Sequence, residues 1–196
     1  MSSREFVLAN VRRNQPAATP LPPVPLFDRA AADLPVAFGD ALQRMGGRLA
    51  LPPAETSLDD FIRSLFPQAS VICSATDEVH GTFSVADVRD PRELQGVDVG
   101  VVRAAFGVAE TGSVALSERE FGVNALGFLS QHLVVLLDPA AIVADLHAAY
   151  WQPWFREVRY GALMTGPSAT ADIEGVLVRG AQGIRSLTVI RVPQRA

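Results

Sequence analysis

The sequence predicts an α/β protein built as a three-layer sandwich, with a mainly parallel sheet lying between helices. Apolar segments of strand length alternate with amphipathic segments of helical period along most of the chain. The segment 133–137 is apolar at every position, which is typical of a strand covered by helices on both faces. With 196 residues and 48% hydrophobic content, the chain can also bury a substantial core.

The first 25 residues are predicted to form an arm that precedes a single domain over residues 26–196. Residues 3–14 have a helical apolar stripe, and Ser2 and Glu5 have the spacing of a capping box. The five prolines between residues 15 and 25 indicate an extended, semi-rigid linker. A proline-rich ligand for a partner module is the alternative interpretation of this linker.

The first half of the domain is predicted to contain two helices and several short strands. Residues 28–45 have a helical pattern despite Pro35, and this pattern ends at a glycine pair. Residues 57–66 form a second amphipathic helix, with Ser57 as its N-cap and Pro67 after its end. Strands are predicted at 48–51, 70–74, 97–102 and 113–116.

The second half continues the alternation after the apolar strand 133–137. Asp138 and Pro139 suit the N-cap and first position of a helix that runs to about Tyr150. Residues 150–155 concentrate aromatic side chains, which predict either a hydrophobic plug or the wall of a pocket. The last strands, 162–165 and 187–192, are separated by a predicted helix over 170–178.

One candidate binding segment, 166–174, follows a strand and leads into that last helix. Thr170 is predicted to be the N-cap, so the turn would present backbone N–H groups at the positive end of the helix dipole. Such a turn binds a carboxylate or phosphate, with Ser168 and Thr170 as hydroxyl donors. Alternatively the turn is only a capped helix start, because Asp172 and Glu174 already complement the dipole and would repel a phosphate.

The other candidate segment, 106–116, is predicted to be a loop that feeds a strand. Gly107 and Gly112 bracket one carboxylate, Glu110, together with the hydroxyls of Thr111 and Ser113. Because its sequence neighbours are small or apolar, Glu110 is expected to be partly desolvated and suited to acid–base work. The alternative is that its carboxylate accepts backbone hydrogen bonds and only shapes the loop.

Together these segments resemble the LUD family, in particular the lactate utilisation protein C group, over roughly the second half of the chain. The family patterns GxAETGT and GPSxTADIE are matched at Gly107, Ala109, Glu110, Thr111 and Gly112, with Ser113 for the final Thr, and at Gly166, Pro167, Ser168, Thr170, Ala171, Asp172, Ile173 and Glu174. Two positions depart from the family: Ala169 replaces a common Arg, and Gln182 replaces the His of a later GxHGP turn.

This resemblance implies a NagB/RpiA/CoA-transferase-like fold and a role in oxidising L-lactate to pyruvate beside separate iron–sulfur protein subunits. The resemblance also implies a site in which Glu110 is the catalytic residue. The expected substrate-binding residues are Thr111, Gly112, Ser113, Gly166, Ser168, Thr170 and Asp172.

Composition limits the remaining function classes. A net charge of −4 and a pI of about 5.4 offer no broad attraction for nucleic acid or anionic lipid, and no apolar run reaches the length of a membrane span. The single cysteine, Cys73, excludes an internal disulfide, fits a reducing cytoplasm and cannot hold an iron–sulfur cluster. The three histidines lie far apart with no i, i+4 pair, so the sequence predicts no dedicated zinc site, and it contains no nucleotide-binding glycine motif.

Two alternatives to the lactate role stay open from the sequence. One is a stand-alone enzyme or sensor for an anionic metabolite such as a sugar phosphate or CoA ester. Whichever anion is bound, Arg103, Arg119 and Arg185 are the charges expected to meet it, and the alternative is that they are solvated surface groups. The other is a structural module that binds a partner through the proline-rich arm.

Overall fold

A six-stranded parallel sheet lies at the centre of the computed structural model, which describes residues 2–20, 22, 25, 33–170 and 176–194. In chain order the strands are Arg48–Ala50 (β1), Ile72–Ser74 (β2), Phe83–Ser84 (β3), Val99–Arg103 (β4), Phe106–Val108 (β5), Ser113–Ser117 (β6), His132–Leu137 (β7), Ile142–Val143 (β8), Gly161–Met164 (β9), Ala169–Thr170 (β10), Val178–Arg179 (β11) and Ser186–Arg191 (β12). The central sheet has the order β1-β12-β7-β4-β2-β3, and every neighbouring pair in it is parallel.

Short helices connect these strands. The α-helices are Ser3–Arg13 (α1), Leu34–Arg44 (α2), Leu58–Leu65 (α3), Glu118–Phe121 (α4), Leu126–Leu129 (α5), Leu146–Tyr150 (α6) and Trp154–Glu157 (α7), with 3₁₀ turns at Val85–Asp87, Pro91–Gly96 and Pro139–Ala141. Ser2 caps α1 through the predicted capping box, and Ser57 caps α3. Pro35 lies in the first turn of α2, where its missing N–H has no intrahelical acceptor to lose. Among the helices that the structure describes, none has the length and apolarity needed to cross a bilayer.

The strand β7 shows why the central sheet is buried on both faces. Leu133, Val135 and Leu137 pack into one core with α2, whereas Val134 and Leu136 pack into a second core with α3. Successive strand residues point to opposite faces, so an unbroken apolar strand supplies both cores. The predicted α/β sandwich with a parallel sheet is therefore confirmed.

A second sheet, with the order β8-β5-β6-β9, packs beside the central one. Its centre is the antiparallel hairpin β5–β6, which begins just after β4 and turns at residues 109–112. Trp154 packs edge-on against Phe106 of this sheet, with ring centroids 5.6 Å apart. Part of the aromatic segment 150–155 is thus the predicted plug, although Tyr150 and Trp151 are exposed.

Two predicted helices are wrong. The first, 138–150, is divided, because Ile142 and Val143 pair with β5 as β8 and Asp145 then caps the short helix α6. The second, 170–178, is contradicted at its end, because Val178 is a strand residue that pairs antiparallel with Thr170, while residues 171–175 lie outside the described residues. Strand pairing holds such partners about 5 Å apart, whereas a helix of this length would separate its ends by about 12 Å.

Candidate functional site

Two glycine turns, one from each family-like segment, meet the last turn of α2. Gly112 has φ +68°, and a Cβ added there would lie 2.2 Å from the backbone nitrogen of Leu42. Gly166 has φ +74°, and its added Cβ would lie 2.5 Å from the carbonyl oxygen of Met45. Both positions therefore require glycine for conformation and for space. Since α2 leads into the amino end of β1, the two turns lie near that edge of the sheet.

A chain of hydroxyl groups links the first segment to Thr165, the residue just before the second segment. Thr111 Oγ1 lies 2.7 Å from Ser113 Oγ, which is also hydrogen-bonded to Thr165 Oγ1 at the end of β9. Ser113 is buried, whereas Thr111 and Thr165 are half-buried. The antiparallel pair β6–β9 sets this contact, because it places Val114 opposite Met164. The hydroxyl chain thus forms one side of a partly open site.

The hydroxyl chain opens onto a cavity of about 440 Å³, which we name the hydroxyl cavity. Its lining residues are Ala41, Arg44, Met45, Glu110, Thr111, Ser113, Leu146, Tyr150, Leu163 and Thr165. Arg44, in the last turn of α2, supplies a positive charge, and it makes no ion pair with any residue that the structure describes. The cavity therefore combines one cation, one carboxylate, several hydroxyls and an apolar wall.

Glu110 lies at the rim of this cavity and has a structural role. Its Oε2 accepts a hydrogen bond from the backbone N–H of Leu146 at 3.2 Å, at the start of α6. Its own N–H donates to the carbonyl oxygen of Ala144 at 3.0 Å. The side chain is exposed, so the predicted desolvation is wrong, while the alternative role in shaping the loop is supported.

The second segment lines a different, adjacent cavity, which we name the hairpin cavity. It has a volume of about 420 Å³ and is lined by Gly127, Phe128, Met164, Gly166, Ser168, Gln182, Gly183 and Ile184. Gly180 N–H donates to the carbonyl oxygen of Ser168 at 2.6 Å, which holds the turn 180–183 beside this segment. Gln182, at the position of the family His, therefore lies in the same cavity as Ser168.

The remaining predicted binding residues of this segment lie elsewhere. Thr170 is an exposed residue of β10 and lines none of these cavities, and the helix start that it was predicted to cap lies outside the described residues. Asp172 lies outside the described residues. The consecutive residues Met164 and Thr165 line the hairpin and hydroxyl cavities respectively, which shows how closely the two cavities adjoin. The sequence did not single out Thr165 or Arg44, because neither lies within the motif patterns.

A third cavity lies at the carboxyl ends of β2 and β4, and we name it the switch cleft. It has a volume of about 640 Å³ and is lined by Ala75, Thr76, Asp77, Glu78, Arg103, Ala104, Ala105, Arg119, Glu120 and Gln194. The chain leaves β2 towards β3 on one side and leaves β4 towards β7 on the other, so the strand order reverses here. Open α/β sheets commonly bind ligands at such a reversal.

The arginines of the switch cleft already have carboxylate partners. Arg103 holds Glu78 through two hydrogen bonds of 2.5 Å, and Arg119 lies 3.0 Å from Glu157. Both were predicted to meet an anionic ligand, but such a ligand would have to displace these carboxylates. Thr76 and Glu78 were not predicted, although their position directly after a buried strand was a usable signal.

The described part of the chain does not meet the needs of a metal site or of a reactive thiol. Within the ranges that the structure covers, no three His, Cys, Asp or Glu side chains are grouped to hold a metal ion. Cys73 is fully buried in the core, and burial raises the pKa of its thiol to about 11, with a smaller contribution from Asp87. The thiol therefore stays protonated at neutral pH.

Comparisons with known proteins agree with the fold and with the motifs. The model of the LUD domain family matches residues 69–192, which is more than half of the chain and includes both segments. A crystal structure of a DUF162 family protein from Deinococcus radiodurans is similar, with a TM-score of 0.64 and 20% sequence identity, over 86% of this chain and 99% of that chain. At that identity the likeness shows the fold alone. No curated protein matches the chain.

Proposed function

Because the chain belongs to the LUD domain family, we propose that it is a component of L-lactate utilisation, in the lactate utilisation protein C group. In this proposal the chain binds L-lactate in the hydroxyl cavity, and separate iron–sulfur protein subunits accept the electrons. The observation that carries the proposal is the hydroxyl chain of Thr111, Ser113 and Thr165, which links the first motif segment to the residue that precedes the second and lines one cavity with Arg44.

The contents of the hydroxyl cavity match the three parts of lactate. The Arg44 guanidinium suits the carboxylate, because charge-assisted hydrogen bonds to carboxylates are the strong ones. The exchangeable hydroxyls of Thr111 and Thr165 suit the α-hydroxyl, which both donates and accepts. Leu146 and Leu163 supply an apolar surface for the methyl group.

The reaction assigns one chemical step to this chain. Oxidation of L-lactate to pyruvate removes two electrons and two protons, one of them from the hydroxyl group. Glu110, at the rim of the cavity, takes the hydroxyl proton in this proposal, and the hydrogen of the α-carbon leaves with both electrons as a hydride to a two-electron acceptor on the partner subunits. The electrons then pass to clusters on partner subunits, since a single cysteine cannot supply the several thiolates that hold a cluster.

We expect Arg44→Gln to weaken L-lactate binding about 10- to 100-fold, because a hydrogen bond to a charged group contributes about 1.5–3 kcal/mol. Isothermal titration calorimetry of the two proteins measures this change. Arg12→Gln is the matched control, since Arg12 also lies in the last turn of a helix, is exposed and lines none of these cavities. Equal affinities for the wild type and Arg44→Gln would contradict the assignment of Arg44.

Assembly with partners is tested by L-lactate oxidation with an artificial electron acceptor. The rates of this protein alone, of candidate iron–sulfur proteins alone and of the mixture are compared. We expect the mixture to oxidise L-lactate faster than either component. A mixture that is no faster than the partners alone would end the lactate assignment, even if the chain binds a carboxylate.

A second function is favoured by the position of the switch cleft. A stand-alone enzyme or sensor for a sugar phosphate or CoA ester would bind its ligand at this reversal of strand order. It predicts thermal stabilisation by ribose 5-phosphate or acetyl-CoA without any partner protein. The paired states of Arg103 and Arg119 rank this function below lactate binding.

A further inference from the structure

A further cavity, which we name the edge cavity, lies at the amino ends of β4, β7 and β12, on the side of α3. It has a volume of about 330 Å³ and is lined by Leu65, Phe66, Pro67, Gln68, Ala69, Asp98, Gln131, His132 and Arg185. It shares no lining residue with the hydroxyl cavity, the hairpin cavity or the switch cleft. None of the motif segments reaches it.

A stack of planar groups forms one wall of the edge cavity. The ring of Phe66 lies on the imidazole of His132, with centroids 5.0 Å apart and planes inclined by 34°. The Arg48 guanidinium carbon lies 5.8 Å from the centroid of the same phenyl ring. His132 Nδ1 is fixed by a hydrogen bond of 2.8 Å with Ser186 Oγ. The wall is therefore held in place and offers planar surface to a ligand.

Positive charge around this wall exceeds the negative charge of the one carboxylate in the lining, Asp98. Neither Arg48 nor Arg185 forms an ion pair with a residue in the described ranges. The lining carboxylate, Asp98, uses Oδ2 to accept the backbone N–H groups of Ser70 and Val71, at 2.7 and 2.9 Å. The cavity thus has two guanidinium groups nearby and one carboxylate engaged by the backbone.

The electrostatics of His132 agree with this excess of positive charge. Burial lowers the pKa of its imidazole below 6.5, and Arg185 and Arg48 lower it further, against an opposing effect of Asp98. The ring is therefore mostly neutral at pH 7, and the arginines are the cations available to a ligand.

The same lowered pKa predicts a loss of stability in acid. A histidine whose folded-state pKa lies below its unfolded value stabilises the fold fully above pH 6.5, and this stabilisation declines as the pH falls through the folded-state value. Urea unfolding at pH 7.5 and pH 5.5 is expected to show a smaller pH dependence in His132→Asn than in the wild type. An unchanged pH dependence would contradict the lowered pKa.

We propose that the edge cavity binds a small anion carrying a planar aromatic ring. The carboxylate or phosphate of the ligand meets Arg185 and the side-chain amide of Gln131, and its ring lies against the wall formed by Phe66 and His132. The charge excess selects an anion, and the planar wall selects an aromatic ring over an aliphatic chain. This site is independent of lactate binding, because its residues are separate from the hydroxyl cavity.

Benzoate is the probe for this proposal, and its binding is followed by calorimetry and by the NMR signals of His132. We expect saturable binding of benzoate that shifts the His132 signals. Benzyl alcohol, which lacks the charge, and cyclohexanecarboxylate, which lacks the aromatic ring, are expected to bind several-fold more weakly. Arg185→Gln is expected to weaken benzoate binding about tenfold or more, and Phe66→Leu about 2- to 10-fold.

Arg156→Gln is the control for loss of a surface charge, since Arg156 is exposed and lines none of the four cavities. It should leave benzoate binding unchanged. The proposal is overturned if benzoate does not bind, if Arg185→Gln binds it as well as the wild type, or if inorganic phosphate and cyclohexanecarboxylate bind as tightly as benzoate. L-lactate binding is expected to be unaffected by Arg185→Gln, which separates this test from that of the hydroxyl cavity.

Discussion

Gly112→Ala is expected to lower the free energy of unfolding by about 2–5 kcal/mol. The backbone at Gly112 has φ +68°, where an L side chain is strained, and the new methyl group would lie 2.2 Å from the Leu42 nitrogen and 2.5 Å from its Cα. These are main-chain atoms in the last turn of α2, so the clash cannot be relieved by moving a flexible side chain. The helix or the β5–β6 turn must shift, which separates Arg44 from the hydroxyl chain.

Urea unfolding of the wild type and the variant measures this loss. Gly96→Ala is the matched control, because a Cβ at Gly96 would meet nothing within 4 Å, and it should change stability little. L-lactate binding should weaken together with stability in Gly112→Ala. If Gly112→Ala is as stable as the wild type, the close contact between α2 and this turn is not tight enough to exclude a Cβ.

Glu110→Gln is expected to lower L-lactate oxidation by the assembled system about 100-fold or more, within the 10²–10⁴ range of positioned general bases. Glutamine keeps a carbonyl oxygen that can accept the N–H of Leu146, so the start of α6 is retained. The substitution therefore removes the proton acceptor and the charge while preserving the structural contact.

Comparison with Glu110→Ala separates the two roles of this residue. Alanine removes the acceptor as well, so we expect lower stability than in Glu110→Gln, with a similar loss of rate. Oxidation rates and urea unfolding of both variants provide the measurements. If Glu110→Gln oxidises L-lactate at the rate of the wild type, Glu110 only shapes the loop and has no catalytic role.

The central sheet was predictable because burial on both faces requires apolar residues at every position of a strand, and this pattern is visible in the sequence. Residues 133–137 of β7 are apolar at every position, and this pattern alone indicates a strand between two layers. Capping signals were equally local, so the starts of α1 and α3 agreed with the structure. The second sheet was not predicted, since β8 is only two residues long and is defined by its pairing with β5.

The failed helices show where local signals compete. Asp138 and Asp145 are both good N-caps, and only the pairing of Ile142 with Gly107 decides that the helix starts at the second of them. At the candidate site the hydroxyls of Thr111 and Ser113 were predicted from the motif. Arg44 and Thr165 join them through contacts between distant parts of the chain, which one sequence does not reveal.

The end of β9 has a consequence for how ligands would influence one another. Met164 lines the hairpin cavity and Thr165 lines the hydroxyl cavity, so one peptide bond connects the walls of the two cavities. A ligand in the hydroxyl cavity that displaces Thr165 must also displace Met164 in the hairpin cavity. We therefore expect binding in one cavity to strengthen or weaken binding in the other. Thermodynamic linkage requires each ligand to change the affinity of the other by the same factor.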